Sequence, residues 1–316
     1  MPLISVNAIG DRAVAHGAGA PLSERLAAAL DRLPSHAPVV AMLHGFRYNP
    51  AHAKADPHSH ILSLNPGHDR QRAISWPRHL GLGRSSSEGL AIGLGWPADG
   101  TIWQAYRRAE TTGTALAEVI STVAALDPGR KVDILAHSLG ARVAFSALPL
   151  LGRNTVGRVI LMAGAEFGSV AAANLATPAG ATAECVNITT RENDLFEALL
   201  EALITRPMAQ DRGIGQGLPQ PTGNWLDVQI DKKATLAALA TLGFRVKPPH
   251  RRICHWSGYL RPGLFSLYRA LLSRPGALPL PLLRACLPQA HDPRWSRLFA
   301  LPDAALPLPL LRNASS

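Results

Sequence analysis

Residues 132–140 read Val-Asp-Ile-Leu-Ala-His-Ser-Leu-Gly, and this stretch decides how the chain folds. Its apolar first half is typical of a buried strand, and the residues after Gly140 are typical of a helix that starts at once. A serine between a strand and a helix, with small residues two positions before and after it, follows the G-x-S-x-G pattern. Ala136 and Gly140 are those small residues. The stretch therefore predicts a tight turn that holds the Ser138 hydroxyl above a sheet.

A second run predicts the groups that would stabilise an oxyanion next to this serine. One backbone N–H is expected from Leu139, which follows the serine at the start of the helix. Residues 38–46 read Pro-Val-Val-Ala-Met-Leu-His-Gly-Phe, a buried strand that ends in His44-Gly45. Gly45 permits a close approach of the backbone to a substrate because it has no Cβ. The second N–H is therefore expected from Phe46.

The orienting acid is expected at the end of a later strand, because open parallel sheets gather their functional groups at the carboxyl ends of strands. Residues 184–190 are predicted as such a strand and are followed by Arg-Glu-Asn-Asp. Asp194 ends this polar tetrad just before an apolar helix, and it is the predicted acid. Glu166, which follows the preceding strand at residues 158–162, is an alternative. Asp194 also fits a purely structural role, as the cap of the helix that starts at Leu195.

The base is expected after the acid, where the chain has three histidines. His250 lies in a basic, proline-containing loop and His291 lies in a proline-rich tail. His255 alone is flanked by apolar and aromatic residues, which suit the edge of a buried site, and it is the predicted base. The interval between the strand at residues 225–230 and His255 is long, so we expect it to contain an inserted helix near residues 235–242.

On the serine turn and the His-Gly strand end, residues 35–270 resemble the α/β-hydrolase superfamily, of the esterase/lipase type. The resemblance implies an α/β fold with a mostly parallel central sheet and helices on both faces. It also implies a set of catalytic roles: Ser138 as nucleophile, Asp194 as acid, His255 as base, and the backbone N–H groups of Phe46 and Leu139 as the oxyanion hole. Water deacylates such an enzyme, so no cofactor or metal is expected.

Strand–helix alternation continues without a linker from about residue 38 to residue 240, which predicts one hydrolase domain over residues 1–270. Residues 271–316 are then a basic, Pro/Leu-rich C-terminal extension. Within the domain, Leu3–Ile9 is expected as an edge strand, and Ser23 is expected to cap the helix that follows. No large cap domain is expected, because residues 164–182 form a short interval that is rich in Ala and Gly. The longer interval at residues 206–223 is expected to be a structureless, mobile edge of the site.

The composition argues against a disordered, a disulfide-rich and a secreted protein. A length of 316 residues with 47% hydrophobic content excludes a disordered chain. The three cysteines are odd in number and widely spaced, which argues against a disulfide framework. The first residues lack a basic stretch, so they do not predict a secretory signal. We therefore expect a cytoplasmic protein.

The basic charge of the chain is concentrated at its end. The formal net charge is +10, and residues 245–316 contain eleven Lys/Arg but only two acidic residues. The hydrolase body is thus nearly neutral, which argues against nucleic-acid binding. The sequence of residues 277–284, Ala-Leu-Pro-Leu-Pro-Leu-Leu-Arg, recurs at residues 305–312, and its alternate prolines predict extended segments. Such segments are expected to cover the body of the same chain, a membrane surface or a partner protein. Residues 245–316 are therefore a candidate region for peripheral contact with a membrane or a protein.

A histidine cluster follows the strand that ends at Gly45. His52, His58 and His60 lie near Asp56, with His68 beyond them. His-x-His beside a carboxylate can ligate zinc, but the chain has no His-Glu-x-x-His pattern and no paired cysteines. The cluster is therefore interpreted as a polar loop near the active-site mouth, and no metal is predicted.

Three functions are compatible with these patterns. The first is a serine hydrolase that cleaves a small-molecule or lipid-like carboxylic ester or thioester. The second, acyl transfer to an acceptor other than water, would use the same residues. The third is a catalytically weak or inactive scaffold on a hydrolase fold that docks a partner or a membrane through its basic C-terminal extension.

Overall fold

The structure is a computed structural model and describes residues 3–67, 74–83 and 88–299. In chain order its strands are β1 (Leu3–Ile9), β2 (Arg12–Ala15), β3 (Val39–Leu43), β4 (Leu90–Gly95), β5 (Val132–His137), β6 (Val156–Met162), β7 (Glu184–Thr189) and β8 (Trp225–Gln229). Its α-helices are α1 (Leu22–Leu30), α2 (Trp76–His79), α3 (Ile102–Leu126), α4 (Gly140–Ala147), α5 (Gly168–Leu175), α6 (Asp194–Leu203), α7 (Lys233–Thr241), α8 (Ser257–Leu260), α9 (Leu264–Ser273) and α10 (Leu280–Cys286).

All eight strands lie in one sheet, in the order β2-β1-β4-β3-β5-β6-β7-β8. Only the β1–β2 pair is antiparallel, and every other neighbouring pair is parallel. The predicted mostly parallel α/β sheet is therefore confirmed. Because the strands from β3 to β8 run in one direction, the chain segments that leave β3, β5 and β7 emerge at the same edge of the sheet.

The two faces of the sheet carry separate apolar cores. Along β3, Ala41 and Leu43 face one core while Val40 and Met42 face the other, which is the two-residue period of a strand. Helices α1, α3, α4 and α5 pack on the first face, and α2, α8, α9 and α10 pack on the second. Burial on both faces explains why the strand sequences are almost continuously apolar. The predicted helices on both faces are confirmed.

Two expectations near the amino terminus are wrong. β1 is not an edge strand, because it pairs with both β2 and β4. The turn after β1 uses Gly10 with a φ of 63° and returns the chain as β2, which becomes the edge. Ser23 does not cap the first helix, because α1 begins at Leu22 after Pro21 and no side chain caps it.

The connections between the later strands follow the predicted pattern in most places. The interval between β6 and β7 contains the short helix α5, and the long interval before His255 contains α7. Residues 206–223 are not structureless. They contain a 3₁₀ turn, Ile214–Gln216, and Gly213 forms a β-bridge with Phe167.

The C-terminal segment differs from the extended form predicted for its repeat. The first copy, residues 277–284, leads into α10, because Pro281 lies in the first helical turn, where a missing N–H disturbs no helical hydrogen bond. Leu280 and Leu283 of this helix are buried in the second core. The second copy, residues 305–312, lies outside the described residues. The boundary predicted at residue 270 falls inside α9.

Among the helices of the described ranges, none has both the length and the apolar character that crossing a bilayer requires.

Candidate active site

Ser138 lies at the tip of a strained turn between β5 and α4. Its φ is 55°, a left-handed conformation that a non-glycine residue rarely adopts. Gly140 starts α4 directly against the end of β3, where a Cβ would lie 2.6 Å from the backbone oxygen of Leu43. The turn therefore tolerates only glycine at this position. The predicted strand, turn and helix are all present.

The end of β3 lies directly against this serine. A Cβ on Gly45 would lie 2.6 Å from Cβ of Ser138 and 3.1 Å from its hydroxyl oxygen. Phe46 and Leu139 line the same cavity as Ser138. The two residues chosen for their backbone N–H groups thus lie on the two segments that meet at the serine.

His44 holds the backbone of this segment, a contribution that the sequence analysis missed. The Trp96 backbone N–H donates to Nε2 of His44 over 3.0 Å, so the ring proton is on Nδ1, which donates to the Gly45 oxygen over 2.9 Å. Burial lowers the pKa of His44 to about 3, so its ring stays neutral. The aromatic stack between His44 and Trp96 fixes the ring plane.

His255 forms a hydrogen-bonded line with Ser138 and Asn193. Its Nε2 is 2.9 Å from the Ser138 hydroxyl oxygen, and its Nδ1 is 2.7 Å from the side-chain oxygen of Asn193. Since an amide oxygen only accepts, Nδ1 carries the proton and Nε2 is free to accept from the serine. Burial and the neighbouring His137 ring hold the pKa of His255 well below its usual range. The imidazole is therefore neutral and ready to take a proton.

Packing and backbone contacts fix the position of His255. The Phe196 ring stacks on the imidazole, with 4.7 Å between ring centroids. Nε2 of His137 donates to the backbone oxygen of His255 over 3.0 Å. The N–H of the preceding residue, Cys254, donates to the backbone oxygen of Glu192 over 2.8 Å. This last contact ties the histidine loop to the turn that carries Asn193.

The structure does not bring Asp194, the predicted acid, to His255. One carboxylate oxygen of Asp194 accepts the Trp295 backbone N–H over 2.6 Å, and the other is 3.2 Å from the Arg191 guanidinium. Arg191–Asn193 form a 3₁₀ turn, in which each residue points about 120° away from the one before it. Asn193 and Asp194 therefore face different partners. The polar sequence at residues 191–194 does not by itself specify which of its side chains faces His255.

Glu166, the alternative acid, is also engaged elsewhere. Its carboxylate is fully buried and accepts from the Arg142 guanidinium and the Tyr106 hydroxyl, each over 2.7 Å. It also accepts the Phe167 backbone N–H over 2.8 Å. These contacts give Glu166 a structural role beneath α3 and α4.

Buried ion pairs hold the turn that carries Asn193. Arg261 and the Ser257 hydroxyl both donate to one carboxylate oxygen of Glu192. All three side chains are buried. A buried carboxylate requires such partners, because removing a charge from water without them is costly. The elements after β8 are thereby joined to the turn after β7.

A cavity of about 400 Å³ opens above Ser138 and His255. Most of its lining is apolar, and the apolar side chains that α6 contributes to this lining are Phe196, Leu199, Leu200 and Leu203. Glu197 is the acidic residue of the lining, and burial raises its pKa to about 7. Its carboxylate accepts from the Gln216 side chain over 2.6 Å, so it faces the loop beneath α6. The cavity offers an apolar site next to a serine–histidine pair.

The histidines of the loop after β3 have separate partners. Nδ1 of His52 is 3.0 Å from the Asp99 carboxylate, Nε2 of His58 is 2.9 Å from the Asn7 side-chain oxygen, and Nδ1 of His60 is 2.7 Å from the Tyr48 hydroxyl. Within residues 3–67, 74–83 and 88–299, no three His, Cys, Asp or Glu side chains are grouped as metal ligands. His68 lies outside the described residues.

Comparison with known proteins supports the first half of the fold. A family model described as "Alpha/beta hydrolase of unknown function (DUF900)" matches residues 26–167. This match includes the end of β3 and the Ser138 turn, whereas Asn193 and His255 lie beyond it. No curated protein matches the chain.

Proposed function

We propose that this protein, whose residues 26–167 match an α/β-hydrolase family, is a serine hydrolase that cleaves carboxylic esters or thioesters through an acyl-enzyme on Ser138. One observation carries this proposal: the line of contacts from Ser138 through His255 to Asn193, with distances of 2.9 and 2.7 Å. A nucleophile within hydrogen-bond reach of a base, itself oriented by a third group, is the arrangement that nucleophilic catalysis requires.

In the first half of the reaction, Nε2 of His255 takes the hydroxyl proton as the Ser138 oxygen attacks the carbonyl carbon of the ester. The resulting oxyanion accepts hydrogen bonds from the backbone N–H groups of Phe46 and Leu139, each worth about 3 kcal/mol in the transition state. His255 then gives its proton to the leaving alcohol or thiol. In the second half, water attacks the acyl-enzyme with His255 again acting as base.

Asn193, rather than the predicted Asp194, is assigned the orienting role. Its side-chain oxygen holds the proton of His255 on Nδ1, which leaves Nε2 free for the serine. A neutral amide adds no charge opposite the imidazolium that forms during the reaction, so the proposed enzyme relies more on the oxyanion hole than one with a carboxylate would. Asp194 is assigned a supporting role, because it joins Arg191 to the chain at Trp295.

The lining of the cavity favours an apolar acyl or alcohol group in the substrate. Its volume of about 400 Å³ and its leucine and aromatic side chains suit a hydrocarbon group better than a charged one. The proposal keeps water as the acceptor, and analysis of the products distinguishes hydrolysis from acyl transfer. A cytoplasmic location stays part of the proposal, and Cys185, Cys254 and Cys286 are all free thiols.

The direct test is hydrolysis of p-nitrophenyl esters of increasing chain length. We expect activity in the wild type, and a loss of about 10⁶-fold in kcat in Ser138→Ala if the serine is the nucleophile. His255→Ala is expected to lose most of the activity as well. Ser121→Ala, an exposed serine on α3, is the matched control and is expected to behave as the wild type. Unchanged hydrolysis by Ser138→Ala, or a folded wild type that is inactive on esters and thioesters, would contradict the proposal and favour the scaffold alternative.

A further inference from the structure

Helix α6 presents three of its four leucines to solvent and buries its acidic residues. Leu195, Leu199 and Leu203 follow one another at four-residue spacing and are 39%, 46% and 41% exposed. Its three acidic residues, Asp194, Glu197 and Glu201, are all buried. A helix on the surface of a soluble domain normally shows the opposite pattern, with its charged side chains in water. Burial in the core of the domain therefore does not account for this row of exposed leucines.

The same surface extends to the start of α3. Trp103 is 48% exposed, and its indole N–H donates to the backbone oxygen of Leu203 over 2.6 Å. This bond holds the indole ring beside the last turn of α6. We call Trp103, Leu195, Leu199 and Leu203 the mouth surface, because Leu199 and Leu203 also line the cavity above Ser138. The exposed apolar area is thus continuous with the active-site cavity.

Two exposed arginines stand beside the mouth surface. Arg47 lines the cavity, and Arg107 lies one turn after Trp103 on α3. The acids nearest in sequence have other partners: Asp99 pairs with His52 and Arg108, and Glu110 pairs with Arg142. In the part of the chain that the structure describes, Arg47 and Arg107 form no ion pair. The border of the mouth surface therefore carries uncompensated positive charge.

We propose that the mouth surface docks on an anionic lipid surface and that the enzyme takes its ester from that surface. Uptake of the ester from this surface rests on the proposed function, whereas docking on the surface requires no catalytic activity. Exposed apolar side chains with Arg or Lys beside them bind an anionic bilayer, because the apolar side chains enter the acyl region and the basic side chains contact the anionic headgroups. A lipid surface also fits the position, because it would supply an apolar substrate directly to the open cavity. A protein seated there would cover the opening instead.

This surface differs from the one that composition alone suggests. The basic segment at residues 245–316 contains neither Trp103 nor α6, so variants in the mouth surface leave the charge of that segment intact. The two sources of membrane affinity are therefore separable. The contribution of the positive charge at the border of the mouth surface is tested by replacing Arg47 and Arg107 with glutamine.

The experiment is co-sedimentation of the full chain carrying Ser138→Ala with vesicles of phosphatidylcholine, with and without about 30 mol% phosphatidylglycerol. We expect binding that is stronger with the anionic lipid. Adding Trp103→Ser and Leu195→Ser is expected to weaken binding at least ~10-fold. These two residues do not line the cavity, and the thermal unfolding midpoint of the variant shows whether it is folded. Leu126→Ser, at the other end of α3 and 43% exposed in the wild type, is the matched control and is expected to bind unchanged.

The outcomes separate this inference from the proposed function. Binding that survives the Trp103 and Leu195 substitutions, or an anionic preference that survives Arg47→Gln with Arg107→Gln, would overturn the docking assignment. Self-association through the mouth surface, seen as a dimer by size-exclusion chromatography that the same substitutions abolish, would overturn it as well. Vesicle binding by a protein whose wild type hydrolyses no ester would instead overturn the proposed function and leave the docking surface in place.

Discussion

The two sides of the active-site cavity are built in different ways. On the nucleophile side, the end of β3 and the Ser138 turn meet through backbone contacts so close that Gly45 and Gly140 have no room for a side chain. On the acid side, the turn after β7 depends on side chains from far along the chain. Arg261 binds Glu192, and the Trp295 N–H binds Asp194. The first side is specified by short local sequences, and the second by polar contacts that form only in the folded chain.

This difference determines what can be altered on each side. A backbone contact at van der Waals distance tolerates no added atom, so even small substitutions on the nucleophile side should lower activity strongly. A side-chain network offers several partners, so a substitution on the acid side should have graded effects that depend on which member is removed. Substitutions on the two sides therefore test this contrast.

Among substitutions that compare the two sides without removing the nucleophile or the base, the largest effect is expected from Gly45→Ala. The added methyl would lie 2.6 Å from Cβ of Ser138, so the β3 end must move away and take the Phe46 N–H with it. We expect kcat/KM for a p-nitrophenyl ester to fall by about 10²–10³-fold, as for the loss of an oxyanion-hole donor. Gly152→Ala, where no atom lies within 4 Å of the added carbon, is the control and should retain activity. Wild-type activity in Gly45→Ala would show that this side is not closed to added atoms.

The next effect concerns the residue that orients His255. Removing the amide in Asn193→Ala leaves Nδ1 of His255 without its acceptor at 2.7 Å. We expect kcat/KM to fall by roughly 10–100-fold, because the ring is no longer held in one orientation. Asp194→Asn preserves the size of a side chain that does not contact His255, and it should lose less activity than Asn193→Ala. The reverse order of these two kcat/KM values would return the orienting role to Asp194.

The contrast also explains how far the sequence alone predicts the molecule. The sheet and the Ser138 turn follow from apolar runs and from small residues at fixed spacing, and His255 follows from its place after the acid and from its apolar and aromatic neighbours. The orienting role of Asn193 cannot be predicted in this way, because the direction of a side chain within a 3₁₀ turn depends on backbone angles that the residue types alone do not specify. The hydrogen bonds of the neutral rings of His44 and His137 are not predicted either, because they join backbone groups of other segments. α10 was not predicted, because the alternate prolines indicated an extended segment, whereas the helix begins at Leu280, between Pro279 and Pro281.

Stability should be more sensitive to the acid-side network than to surface pairs. Arg294 donates to Glu201 over 2.8 Å, with both side chains largely buried. Arg294→Ala removes the guanidinium that the buried carboxylates of Glu197 and Glu201 share, and we expect the free energy of unfolding to fall by about 3 kcal/mol. Arg12→Ala, which breaks the exposed pair with Glu118, should cost less than ~1 kcal/mol. Urea denaturation of both variants measures the difference, and equal losses would contradict the importance assigned to the buried network.

The smallest effect is a shift in pH dependence. His255 must be neutral to accept the serine proton, and burial with the His137 ring lowers its pKa. Activity should therefore persist as the pH falls through 6.5, the usual pKa of histidine, and decline only below it. Asn193→Asp places a negative charge next to Nδ1, which favours the imidazolium and should move this decline to higher pH. The pH profile of kcat/KM for both proteins is the measurement, and a wild-type decline at or above pH 6.5 would contradict the lowered pKa.

The most direct test of the central claim is the site of covalent modification by a fluorophosphonate, located by mass spectrometry of peptides from the treated protein. The account predicts one phosphonyl adduct, on Ser138, which forms much more slowly in His255→Ala and is absent from Ser138→Ala. An adduct on another serine, or none on a folded wild-type protein, would contradict the assignment of Ser138 and His255 as nucleophile and base.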